Sequence, residues 1–292
     1  MRLLLLGTGC PAASSRRFGP AQLVEHGGTR LLVDCGSGVT QRLAEAGERS
    51  ATLDALLVTH LHSDHVVDLW QLLVSGWHQG RKRPLRVIAP AGFAKHVAAL
   101  EAAWAGERAL RLSFEQRPNP DGFAFAVEEI AGGDRRRIGA LEVEAVAVDH
   151  RPVEPALGFV LRAGGRTLAL SGDTRPCPAL AAAARDCDLL VHEVFHHPAM
   201  PPIPGVRDPA TIAAVAGYHT LSTEVGRVAA EARAHSLVLT HIVPVESDPA
   251  ALIAAAQADF AGPVIVGEDL LAVDLDTGHA SWRGLAFAPG AS

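Results

Sequence analysis

The stretch Thr59-His60-Leu61-His62-Ser63-Asp64-His65 constrains this chain more than any other. It crowds three imidazoles and a carboxylate into six positions, directly after the apolar run Leu56-Leu57-Val58 and before a helical pattern over 66–74. A strand that ends in such a loop presents its polar side chains from a rigid edge. Neutral imidazole and carboxylate suit zinc, iron and manganese, with geometry and availability deciding among them. The plain alternative is a His-rich surface loop. It fails because metal-competent residues recur after later apolar runs: His150 after 141–148, Asp173 after 166–170 and His241 after 237–240. Sheets flanked by helices place their sites at such carboxyl ends of strands. With His60, His62, Asp64 and His65 this makes seven candidate ligands. Seven are too many for one tetrahedral ion and suit two ions that share a carboxylate.

Strand-like and helix-like runs alternate along the chain. Two hairpin signals stand out, Gly27-Gly28 and Gly164-Gly165, each between short apolar runs. The first hairpin leads to Asp34 and the second to Asp173. Further strands are expected at 53–58, 85–89, 110–114, 123–130, 141–148, 189–191, 237–240, 264–266 and 270–275. Helices are expected at 39–46, 66–74, 93–103, 178–184, 223–234 and 249–258. Frequent hairpins amid alternating elements point to an α/β architecture of mixed sheets covered by helices. No Gly/Ser linker interrupts the chain. One domain is expected over 1–292, with a proline-rich loop insertion at about 196–218 that carries a short helical piece at 209–216.

The 292 residues are 48% hydrophobic, enough to bury a large core. The formal net charge of −6 argues against a general affinity for nucleic acid, which needs basic surface to displace counterions. The basic runs Arg81-Lys82-Arg83 and Arg135-Arg136-Arg137 read as solvated turns. Cys10, Cys35, Cys177 and Cys187 form no Cys-x-x-Cys pair and read as small buried residues of a reduced, cytoplasmic protein. The apolar run after Met1 is too short for a signal peptide, and no stretch has transmembrane length, so no membrane partner is expected.

The pattern Thr-His-x-His-x-Asp-His, followed downstream by His, Asp and His, resembles the metallo-β-lactamase-fold hydrolases. Three further features resemble the ribonuclease Z and arylsulfatase-like branch: Leu6-Gly7-Thr8-Gly9, His150 followed by Leu157-Gly158-Phe159, and Ser171-Gly172-Asp173-Thr174. The resemblance runs from Gly7 to His241. It implies a four-layer αββα sandwich of two mixed sheets flanked by helices. It also implies two divalent ions, zinc by default with manganese or iron open. His60, His62 and His150 would hold one, and Asp64, His65 and His241 the other, with Asp173 bridging. In this branch a histidine next to Thr or Ser acts as general acid, oriented by a glutamate of a His-Glu-Ala-Thr motif. Here His219-Thr220 and His192-Glu193-Val194-Phe195 stand at those places, so Glu193 matches and the Ala-Thr half departs. The implied catalytic set is Asp64, His219 and Glu193. A homodimer is a further implication of the resemblance.

Ribonuclease Z enzymes of the common bacterial type carry a long basic arm between the third His ligand and the bridging Asp. Here His150 and Asp173 are 23 positions apart, room only for a hairpin. The extra length lies instead between Glu193 and His219. The first expectation is therefore a metal-dependent hydrolase whose metal-bridging hydroxide attacks a small anionic ester, a phosphodiester or an aryl sulfate. The alternative is an arm-less transfer-RNA 3′ endonuclease of the ribonuclease Z type. A further alternative is opening of a β-lactam or lactone ring.

Overall fold

Alternate residues of the first strand enter different layers. In β1 (Arg2–Gly7), Leu3 and Leu5 join one apolar cluster while Leu4 and Leu6 join another. Successive side chains of a strand face opposite sides, and a strand covered on both faces therefore reads as an unbroken apolar run. The computed structural model describes residues 1–283 and 285–287. After β1 come β2 (Ala21–His26), β3 (Thr29–Val33), β4 (Ala55–Leu57), β5 (Leu85–Pro90) and β6 (Phe125–Ile130). A second sheet is built from β7 (Arg135–Ile138), β8 (Leu141–Ala147), β9 (Leu157–Ala163), β10 (Arg166–Leu170), β11 (Leu189–Phe195), β12 (Leu237–Val243) and β13 (Val264–Val266). The chain then returns to the first sheet as β14 (Ala272–Asp274), β15 (His279–Trp282) and β16 (Leu285–Phe287).

The first sheet has the order β16-β15-β14-β1-β2-β3-β4-β5-β6 and the second β13-β12-β11-β10-β9-β8-β7. Both are mixed in the same way. An antiparallel hairpin, β2–β3 or β9–β10, passes into parallel strands, β4–β5–β6 or β11–β12–β13. The hairpins turn at Gly27-Gly28 and Gly164-Gly165, all four at positive φ, which a tight two-residue turn requires. Each hairpin delivers an aspartate just past its second strand, Asp34 or Asp173.

Between the sheets lies one cluster, including Leu3, Leu5, Leu31, Leu57, Phe159, Leu168 and Val238. The outer face of the first sheet packs on α1 (Val39–Glu45), α3 (Leu69–His78) and α4 (Phe93–Ala103) through Leu43, Leu73, Trp77 and Phe93. Between α1 and α3 runs a single turn, α2 (Ser63–Val66). The outer face of the second sheet packs on α6 (Pro178–Ala183), α8 (Val225–Glu231) and α9 (Pro249–Gln257) through Leu180, Val228 and Leu252. Helix, sheet, sheet, helix is the four-layer sandwich expected. Each fully buried Leu or Phe contributes roughly 1.5–3 kcal/mol, and all three apolar layers share the stabilisation. Among the described residues no helix is long and apolar enough to cross a membrane.

Several local expectations are corrected. Residues 110–114 are not a strand but part of the helix α5 (Ala105–Glu115). Leu110 and Phe114 are 64% and 83% exposed, so these two do not hold this helix. Arg111 reaches Glu107 at 2.7 Å and Glu115 at 3.1 Å, four residues to either side. The helix is tied to the body by Arg108 on the Phe123 carbonyl at 2.8 Å, Trp70 Nε1 on Glu107 at 3.1 Å and half-buried Leu112. The helix expected at 66–74 is two pieces, α2 and α3, so Asp64 and His65 lie on a helical turn. Arg81 is not solvated. It is buried and donates to the carbonyls of Leu53, at 3.2 Å, and Ser50. Arg135–Ile138 is a strand rather than a turn, because it pairs with β8. Strands β15 and β16 lie beyond the last one expected. Within 196–218 the expected short helix is present: a tight turn at His197–Ala199 and α7 (Pro209–Ala216) stand amid irregular chain. Ile212 of α7 seats that segment on Phe195, Val243 and Cys10.

Candidate metal centre and active site

The carboxyl ends of β3, β4, β10, β11 and β12 converge on one edge of the sandwich. Asp34, at φ 61, sits where β3 ends. Its Oδ1 accepts from the Thr59 N–H at 2.8 Å, and its Oδ2 accepts from the Thr59 hydroxyl at 2.9 Å and from His65 Nδ1 at 2.8 Å. A carboxylate only accepts, so the Thr59 hydroxyl hydrogen is committed to Asp34. The Thr59 oxygen is then the acceptor for His60 Nδ1–H, 3.0 Å away. His150 Nδ1–H donates to the Tyr218 carbonyl at 2.9 Å. Three imidazoles are thereby fixed with Nδ1 protonated and Nε2 presenting its lone pair, the arrangement by which outer partners orient metal-binding histidines. Burial first, and the neighbouring His65 next, push the His60 pKa well below its ordinary value. Burial also lowers that of His150. Lowering keeps both rings in the neutral form that ligates.

Asp173 is the centre of the cluster. Its Oδ2 lies 3.2 Å from His241 Nε2, 3.3 Å from His65 Nε2, 3.7 Å from His60 Nε2 and 3.9 Å from His150 Nε2. Asp64 Oδ2 lies 3.3 Å from His241 Nε2 and 3.6 Å from His65 Nε2. His62 Nδ1 approaches His150 Nε2 to 3.2 Å. The donor atoms of His60, His62, His150 and Asp173 all lie within 4.8 Å of one another, as do those of Asp64, His65 and His241. Asp173, His219 and His241 form a third such group. The residues fit a pair of divalent cations on a direct observation. His60 Nε2, His65 Nε2 and Asp173 Oδ1 are buried and have no hydrogen-bond partner among the described residues. Buried polar atoms are otherwise almost always paired.

His241 owes its place to a bulge. Glu193 pairs with Thr240 and Val194 with Ile242, leaving His241 as the extra residue at φ 42. A bulge re-aims a side chain off the sheet, here towards Asp64 and Asp173. Glu193, on the neighbouring strand and fully buried, accepts through Oε1 from His219 Nδ1 at 3.0 Å, Thr174 N–H at 3.0 Å and Thr220 N–H at 3.1 Å. Burial works against the charged ring of His219, but Glu193 outweighs it and the pKa rises to about 9. The ring is thus held charged at neutral pH, beside the cluster. His192 is turned the other way, with Nδ1–H on the Glu193 carbonyl at 2.8 Å.

The cluster opens into a cavity of about 290 Å³ lined by His62, Asp64, Asp173 and His219 on one side and Pro11, Val215, Tyr218 and Val243 on the other. Val215, on α7, and Tyr218 come from the 196–218 segment before His219. All nine singled-out residues therefore lie in one place, with Glu193 set behind His219. Three contributors escaped the sequence reading. Asp34 was visible only as a strand end. The Thr59 hydroxyl was visible only as part of a motif. Pro11, brought in by the loop after β1, had no signal.

Residues 1–200 match the family model described as Anti-Pycsar protein Apyc1. That span holds six of the seven ligand candidates, all but His241. The chain is 37% identical over 281 residues to a ribonuclease Z of Mycolicibacterium paratuberculosis, covering 94% of this chain and 99% of that protein. It is 35% identical over 283 residues to a ribonuclease Z of Mycobacterium marinum, with the same coverage. Among solved structures, the metallo-β-lactamase-fold protein YhfI of Bacillus subtilis superposes with a TM-score of 0.71 at 19% identity, over 94% of this chain and 99% of the other. The short form of human tRNase Z superposes with a TM-score of 0.68 at 21% identity, over the same shares. These two likenesses show the fold. The central position of Asp173 in the cluster and the relatedness over nearly the whole chain agree, and the chain belongs to the family of metallo-β-lactamase-fold hydrolases that includes ribonuclease Z and the anti-Pycsar protein Apyc1.

Proposed function

We propose that the chain is a two-metal phosphodiester hydrolase of the ribonuclease Z type, acting on an RNA phosphodiester at the 3′ side of transfer RNA. One observation carries the two-metal part. A single carboxylate oxygen, Asp173 Oδ2, stands 3.2–3.9 Å from four imidazole nitrogens that belong to two different ligand groups. In this reading His60, His62 and His150 hold one ion, Asp64, His65 and His241 the other, and Asp173 lies between. Relatives named ribonuclease Z, similar over 94% of the chain, support the substrate class. Zinc suits this donor set, and manganese and iron fit the same ligands.

Two divalent ions held there supply an activated water at neutral pH and positive charge for the oxygens of the scissile group. The chain's own residues do the rest. Asp64 faces the cavity with a carboxylate able to accept a proton from the attacking water. His219, charged through Glu193, gives its Nε2 proton to the departing oxygen. The Thr174 and Thr220 amides hold Glu193 so that the ring of His219 is fixed rather than swinging. Pro11, Val215 and Val243 form an apolar wall that limits water in the cavity.

A second reading, hydrolysis of a small anionic ester, is favoured by one feature. β9 and β10 join His150 to Asp173 by a two-residue turn, leaving no arm to grip a transfer RNA. The net charge of −6 points the same way. The two readings separate in one experiment. Metal-reconstituted protein is given a precursor transfer RNA with a 3′ trailer and, in parallel, bis-(p-nitrophenyl) phosphate and p-nitrophenyl sulfate. Removal of the trailer supports the first reading. Turnover of a small ester with an intact precursor replaces it by the second. No turnover of any of them with zinc, manganese or iron removes both.

A further inference from the structure

His60, His65 and His150 each have a protein acceptor for the ring nitrogen that faces away from the cluster, but His241 has none among the described residues. Its Nε2 faces Asp173 and Asp64, so a ligand role leaves the hydrogen on Nδ1. Two more polar atoms nearby are buried without a partner: Glu193 Oε2 and Thr240 Oγ1. The three belong to adjacent positions, since Thr240 pairs with Glu193 across the strands and His241 is the bulged residue after it. All three residues line one small pocket behind the cluster, together with Asp34, Thr59 and His65. That cavity offers about 20 Å³ for the centre of a water. One water fills roughly 10–15 Å³ as a sphere, so room for its centre is ample, and it needs two to four polar partners. An apolar cavity of this size stays dry, whereas this one is lined by residues that carry an unpaired ring nitrogen, an unpaired carboxylate oxygen and an unpaired hydroxyl.

We propose that the cavity holds one ordered water that accepts from His241 Nδ1–H, donates to Glu193 Oε2 and is shared with the Thr240 hydroxyl. Glu193 is then the common partner of two histidines. Through Oε1 it charges the proton donor His219 directly, and through Oε2 and the water it orients His241. Thr240 and Glu193 are positioning residues for His241. The inference rests on His241 as a metal ligand and not on which ester is cleaved.

Two measurements test it, neither involving substrate. A crystal structure of the zinc-loaded protein is expected to show a water within hydrogen-bond distance of His241 Nδ1 and Glu193 Oε2. A cavity without density there overturns the proposal. Zinc affinity is then measured by competition with a chromophoric chelator. Thr240→Val, which keeps the shape and removes the hydroxyl, and Glu193→Gln are each expected to weaken one of the two ions roughly tenfold or more, the size of effect known for outer partners of metal ligands. Thr240→Ser restores wild-type affinity. Unchanged affinity for both ions in Thr240→Val and Glu193→Gln overturns the proposal. Should Thr240→Val not fold, the Glu193→Gln titration decides alone.

Discussion

Glu193 Oε1 stands 3.0 Å from His219 Nδ1, and two backbone amides, of Thr174 and Thr220, aim at the same oxygen. The carboxylate is on β11 and the imidazole follows the irregular segment, 26 positions later. This pairing gives His219 a proton to lose and a fixed direction in which to lose it. Replacing His219 with Ala should therefore slow hydrolysis of diesters with poor leaving groups by about 10²–10⁴. A p-nitrophenolate ester, whose leaving group needs no proton, should lose little. Turnover of alkyl and p-nitrophenyl diesters, compared in wild type and variant, checks this. Equal losses for both would remove the proton-donor role.

The pH dependence follows from the same contact. The donor must be protonated, and its pKa stands at about 9, so activity on poor leaving groups should fall as pH rises through about 9. Glu193→Gln removes the charge that raises this pKa while burial still lowers it. The alkaline limb should then move to lower pH. The test is a pH–rate profile at saturating metal for both proteins, and an unmoved limb would contradict the assignment.

Asp173→Ala takes away the oxygen nearest to four imidazoles and leaves them facing one another. Metal content after dialysis should fall below two ions per chain, and hydrolysis should fall with it. Elemental analysis reads this directly. Full two-ion occupancy in the variant would refute the bridging position.

Asp34 touches no candidate ion, yet it holds His65 by Nδ1 and commits the Thr59 hydroxyl that in turn receives His60. Asp34→Asn offers an amide where a carboxylate accepted. It should weaken metal binding roughly 10–100-fold while leaving the fold intact. Chelator competition checks the affinity and circular dichroism checks the fold.

Gly7 ends β1 where a Cβ would stand 1.8 Å from the Gly19 carbonyl oxygen. Backbone cannot yield as a side-chain tip can, so Gly7→Ala must push the 8–19 segment outwards. Overpacking of this kind costs about 1–3 kcal/mol, a fall in Tm of roughly 2 °C or more in a chain of this size. The same shift moves Pro11 in the cavity wall, so KM for the substrate should rise more than kcat falls. Thermal melting and steady-state kinetics measure the two effects.

Much of this was legible in the chain. Thr59–His65 declared a metal site because no structural role explains three imidazoles and a carboxylate at that spacing. The paired hairpins were readable from their Gly-Gly turns, and the resemblance supplied the grouping of ligands. The helix at 105–115 was not readable, because Leu110 and Phe114 are exposed and its ion pairs form only once the backbone is helical. Arg81 looked like a surface charge because sequence does not show which carbonyls, here Ser50 and Leu53, will need a donor.

The sequence by itself determined which residues can bind metal, where strands end, and that a layered sandwich would bury both faces of its sheets. Those are local properties of residue type and period. The tertiary structure alone decided that Asp173 Oδ2 sits among four imidazoles, that a bulge turns His241 inwards, and that Asp34 and Glu193 fix the rings from behind. Each of these joins residues on different strands. Such contacts depend on strand register and on which buried donors lack acceptors, and both are settled only when the two sheets close on each other.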